Sequence, residues 1–118
     1  MFFRGQIIER PALELKRGGV PAVWKNLYCP GERGSENGVV LQDEEYKESC
    51  RITLEKCPRY YAITCGVYGA MFHTVFPGEA DYQQTYNAMK EELAEFIDRE
   101  TTVEEEMAFY DYFTSKFR

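Results

Sequence analysis

Six apolar side chains in the C-terminal third, Tyr82, Tyr86, Met89, Leu93, Phe96 and Ile97, recur at steps of four, three, four, three and one residues. That spacing lines one face of a helix and neither face of a strand, so the chain carries an amphipathic helix that must lie on something apolar. Pro77 and Gly78 stop whatever precedes it, and Asp81 or Glu79 offers a carboxylate to its first free amides. A second helix starts at Thr102, because Thr102-Val103-Glu104-Glu105 is a capping box in which hydroxyl and carboxylate each accept from the other residue's amide. Glu104, Glu105 and Glu106 complement the positive end of its dipole, and Lys116 and Arg118 the negative end. Its apolar face of Val103, Met107, Tyr110, Phe113 and Phe117 is widened by Phe109 and Tyr112 beyond what one packing partner covers. Either this helix is wedged between two neighbours, or an aromatic surface of Phe109, Tyr112, Phe113 and Phe117 is buried against another chain.

The cover for these helices lies just upstream. Residues 50–56 alternate Cys50, Ile52 and Leu54 with polar neighbours, and residues 59–65 do much the same after Cys57-Pro58. Gly66-Val67-Tyr68-Gly69 supplies a second turn, and residues 70–76 follow as a third strand rich in aromatic and β-branched side chains. The expected fold is α+β: a small antiparallel meander of three to five strands covered on one face by two C-terminal amphipathic helices, within a single domain of residues 1–118. The N-terminal third is less regular. Residues 2–8 suit a further strand, and residues 12–16 and 20–28 fit strand or helix equally. Residues 29–38 form a loop dense in turn formers and charge, long enough to carry a function.

Composition narrows the class. Among the 118 residues 44% are apolar and 15% aromatic, which supports a packed core rather than a charge-solvated chain. The start, Met1-Phe2-Phe3-Arg4-Gly5, has no apolar run of export length, and residues 60–77 fall short of a membrane span. A cytoplasmic protein without a membrane partner is expected. In such a compartment Cys29, Cys50, Cys57 and Cys65 are read as free thiols. The net charge of −6 is concentrated at the end, where residues 79–118 hold eleven acidic and four basic side chains. Such a surface repels phosphate backbones, so no nucleic acid partner is expected.

Candidate chemistry is sparse. The gaps between the cysteines lack the close pairs that present two sulfurs to one zinc ion, and neither glycine pair, Gly31/Gly34 nor Gly66/Gly69, is a phosphate loop. No cofactor or metal is implied. Cys65 beside the Gly66 bend, with His73 as base, is the one conceivable nucleophile; pairing about a turn near Tyr68 sets His73 opposite residue 63, a step or two from Cys65. Asp43, Glu44, Glu45 and Glu48 read as a solvated stretch before the first strand, and Glu91, Glu92 and Glu95 as the outer face of a helix. A pocket of Trp24, Tyr60, Tyr61 and Tyr68 could take a small ligand, although scattered aromatics ordinarily fill cores.

These readings point first to a small non-enzymatic interaction protein that pairs with itself as a homodimer, or binds another protein, through the aromatic surface of the last helix. An acidic inhibitor or immunity-type protein neutralising a basic partner is one alternative. A thiol-dependent enzyme using Cys65 and His73 is the other.

Overall fold

A computed structural model describes residues 22–118. Its elements are β1 (Lys25–Asn26), β2 (Val39–Tyr46), β3 (Cys50–Lys56), β4 (Tyr61–Val67), β5 (Met71–Val75), α1 (Tyr82–Ile97) and α2 (Val103–Lys116). The strands pair antiparallel in sequence order, β1-β2-β3-β4-β5, as a meander of five. Both helices lie on one face of this sheet, the expected α+β arrangement. The strand and helix proposals for residues 2–8 and 12–16 lie outside the described residues.

Alternation decides which face each side chain takes. Cys50, Ile52 and Leu54 of β3 and Tyr61, Ile63, Cys65 and Val67 of β4 join Val75 under the helices, where they meet Tyr86, Met89, Leu93 and Phe96 of α1 and Phe109, Phe113 and Phe117 of α2. The helices form an antiparallel hairpin. Phe96 stacks on Phe109 with centroids 4.1 Å apart, and farther along Glu92 meets both Tyr112 at 3.1 Å and Lys116 at 2.7 Å. Thr102 caps α2 by the expected reciprocal bonds with Glu105, at 3.1 and 2.9 Å. Asp81 occupies the N-cap of α1, but its carboxylate makes no capping bond.

β2 is a strand that the sequence reading took for a solvated stretch. Its pairing with β3 shifts between Val40 and Gln42, so Leu41 is an extra residue and the alternation breaks in mid-strand. Beyond the bulge, Glu44 and Tyr46 face the helices. Glu44 accepts from Tyr86 Oη at 2.8 Å and pairs with Lys90 at 2.9 Å. At the end of β2 the turn of Lys47, Glu48 and Ser49 holds two consecutive non-glycine residues at positive φ, 52° and 55°. Asp98, just past α1, fixes this turn by accepting from Lys47 at 2.7 Å and from Tyr46 Oη at 2.8 Å.

Candidate functional site

The face of the sheet turned away from the helices carries the polar chemistry. Register aligns it in rows across the strands. One row runs Asp43, Thr53, Thr64 and Thr74; the next runs Glu45, Arg51, Gly66 and Phe72. Asp43 is 1% exposed, and its two oxygens accept from Arg51 Nε at 2.9 Å and Nη2 at 2.6 Å. Thr53 Oγ1 donates a third bond to the same carboxylate at 3.1 Å. Two parallel bonds fix the plane of a guanidinium, so Arg51 is held rigid although it is half exposed.

A second buried carboxylate organises the residue 29–38 loop. Glu55 is wholly buried and accepts from the amides of Gly38 at 2.8 Å and Glu36 at 3.2 Å. The loop folds over this carboxylate so closely that a Cβ on Gly34 would come within 2.5 Å of it, and a Cβ on Gly38 within 2.7 Å of Cys57 Sγ. Asn37 takes the positive φ of 63° that turns the loop back. Ser35 at the loop tip shares a hydrogen bond with Thr64 at 3.2 Å. Between this loop and the β4–β5 turn lies a groove of about 640 Å³, floored by Thr53, Thr64 and Gly66 and rimmed by Arg51, Tyr68 and Phe72.

The proposed pocket of Trp24, Tyr60, Tyr61 and Tyr68 is not assembled. Trp24 packs on Tyr46 at 5.2 Å, Tyr60 meets Phe76 edge-on at 5.5 Å, and Tyr61 stacks on Tyr82 at 3.9 Å. Tyr68 alone lines the groove, its hydroxyl donating to Glu45. Neighbouring strand residues point to opposite faces, which separates Tyr60 from Tyr61.

His73 stands directly opposite Cys65, not opposite residue 63, because the β4–β5 turn comprises Tyr68, Gly69 and Ala70 and centres on Gly69 at φ 75°. Both side chains face the helices. Cys65 is 2% exposed and burial pushes its thiol up to about 12, with the Cys50 thiol beside it acting the same way. His73 Nε2 donates to the carbonyl oxygen of Phe117 and its ring meets Phe113 edge-on. Burial thus favours the neutral thiol of Cys65, and the imidazole of His73 is engaged by a backbone carbonyl rather than by the sulfur. Among the described residues no group of three or more His, Cys, Asp or Glu side chains is arranged to hold a metal ion.

Of the proposed interface residues, Phe109, Phe113 and Phe117 lie in the core of their own chain, at 7%, 0% and 8% exposure. Tyr112 is exposed and bonded to Glu92. Phe109, Phe113 and Phe117 are thus covered within one chain by the sheet and by α1, while Tyr112 stays at the surface.

Asp43, Arg51 and Glu55 do not stand out as a set in the sequence. A signal existed: Asp43 and Arg51 flank the turn of Lys47, Glu48 and Ser49 closely enough to become diagonal neighbours across the strands, Asp43 opposite Thr53 and Arg51 opposite Glu45. The charge run of Asp43, Glu44 and Glu45 hid it. Comparison with known proteins adds nothing to this geometry: no family model, curated protein or solved structure matches the chain. Among the described residues no helix is long and apolar enough to cross a membrane.

Proposed function

We propose that this is a small interaction protein that works by binding rather than catalysis, and that it pairs with a second copy of itself through the edge of β5 that no other described strand covers. The observation that carries the reading is the contrast between the two edges of the sheet. β1 is two residues long and presents exposed Lys25, a blunted edge of the kind that resists further pairing. β5 is five residues long, MFHTV, with no formally charged residue and no proline, in unbroken register with β4. Phe72 on it is 73% exposed and Phe76, just beyond it, 55% exposed. A long uncharged edge with surface aromatics is what an interface strand offers and what a solitary chain avoids.

A two-fold axis through His73 would set Phe72 of one copy opposite Thr74 of the other, an aromatic against a β-branched side chain, twice per interface. The buried thiol of Cys65 and the engaged Nε2 of His73 support binding over thiol chemistry. A cytoplasmic setting fits the four free thiols.

Sedimentation equilibrium tests the reading. The expected result is twice the chain mass for the wild type and a single chain mass for Phe72→Lys, which places a charge on the edge, with unchanged circular dichroism. A wild type that sediments at single-chain mass up to high micromolar concentration overturns self-pairing.

A further inference from the structure

The groove on the open face shares only Met71 and Phe72 with the β5 edge, and its chemistry selects a kind of ligand. We propose that it is a binding site for a neutral, hydroxyl-rich ring, a saccharide, lodged above Gly66 between Arg51 and the aromatic rim.

Size comes first: about 640 Å³ lies within the usual range for sites that enclose small molecules. Charge then excludes ions. The floor carboxylate, Asp43, is 1% exposed and saturated by Arg51 and Thr53, so it has nothing left for a cation. The guanidinium of Arg51 is neutralised by that same carboxylate, and Glu45 and Glu32 stand near it, so an anion gains little. The loop carboxylate, Glu55, is consumed by backbone amides. What the floor does offer is neutral hydrogen bonding. Arg51 uses Nε and Nη2 on Asp43, which leaves Nη1 without a protein acceptor among the described residues. Thr53 Oγ1, whose proton goes to Asp43, keeps lone pairs to accept from a ligand hydroxyl, and among the described residues Thr64 Oγ1 shares its bonds only with the hydroxyls of Ser35 and Thr74, which a ligand hydroxyl can join or replace.

Shape supplies the rest. Gly66 stands between Arg51 and Phe72 in its row and leaves a recess with no side chain; a Cβ there would come within 3.0 Å of the Met71 carbonyl. Over the recess, Tyr68 and Phe72 are 49% and 73% exposed and bring two aromatic rings to the rim. A pyranose matches both halves of such a site, with hydroxyls at its edge for the donors of the floor and a face of C–H groups for the aromatic rings. The hydrogen-bonding groups, Arg51, Thr53 and Thr64, lie on β3 and β4 of one chain, away from the β5 edge, so they stand whether or not β5 pairs.

Saturation-transfer NMR on the whole protein tests it, with maltose, cellobiose, lactose and chitobiose at millimolar concentration, and inorganic phosphate and spermidine competing in parallel. Transfer to at least one sugar is expected, unaffected by either ion. Thr64→Val removes a floor hydroxyl without changing shape, and Tyr68→Ala removes one ring at the exposed rim; each is expected to weaken binding about fivefold, the equivalent of one hydrogen bond. No transfer to any of the four sugars overturns the proposal. So does sugar binding that both variants retain at wild-type strength, or displacement by phosphate or spermidine. These readouts are independent of molar mass, so failure here and failure of self-pairing are separate results.

Discussion

At the scale of single residues, burial governs the acids of this chain in two opposite ways. Cys50 and Cys65 lie in an apolar layer, and desolvation pushes both thiols up to about 12 from an ordinary value near 9. Asp43 and Glu55 are buried just as deeply but are met by a guanidinium and by backbone amides respectively. Two consequences are measurable. Iodoacetamide at neutral pH is expected to label exposed Cys29 well before Cys50 and Cys65, which react only after urea unfolding; mass spectrometry of the alkylated peptides reads the order, and early modification at Cys65 would revive the thiol-enzyme reading. The pH dependence has a definite sign. Because the folded state holds these thiol protons more tightly than the unfolded chain, their contribution is complete below about pH 9 and is lost as pH rises toward 12. Urea midpoints measured from pH 8 to pH 11 should therefore fall steadily, and a flat profile would mean that the two thiols are not buried together.

At the scale of elements, the turns show where the chain accepts strain. Lys47 and Glu48 occupy left-handed backbone conformations that non-glycine side chains adopt at a cost of about 1 kcal/mol each. Lys47 is tied to Asp98, whose hydrogen bond raises the lysine's pKa, so its side chain has a reason to be there. Among the described residues no hydrogen bond or ion pair from the Glu48 side chain offsets its strain. Glu48→Gly is accordingly expected to raise the stability by about 0.5–1 kcal/mol in urea titration, through relief of strain partly offset by the greater freedom of glycine when unfolded. The loop over Glu55 is the opposite case, since Gly34 and Gly38 are required there by contact with the carboxylate beneath. A strand can also be hidden by its own irregularity. β2 reads as polar coil because the bulge at Leu41 and three consecutive acids erase the alternation, although two of those acids, Asp43 and Glu44, have cationic partners in the fold.

At the scale of the whole molecule, the helix hairpin and the sheet form one contiguous core, and α2 lies where both can cover it. Phe109 is part of that core, stacked on Phe96. Phe109→Ser is therefore expected to destabilise the chain by about 3 kcal/mol or more, read from the thermal or urea transition, rather than to yield a stable monomer. A folded, monomeric Phe109→Ser protein would restore the dimer interface to α2.

The sequence by itself determined both helices, the capping box, the existence of strands β3 to β5 and the side of β3 that faces the core. These follow from spacing and local hydrogen bonding, which act over a few residues and leave a period in the chain. Only the tertiary structure decided the fate of the aromatic surplus, the membership of the groove and the state of the carboxylates. Phe109 and Phe96 are brought together by a helix hairpin, Asp43 and Arg51 by a strand register, and Gly38 and Glu55 by a loop folding back. Whether a side chain is buried, paired or open to a ligand depends on which distant segment lies over it, and that follows from the packing of the whole chain rather than from the spacing within any one segment.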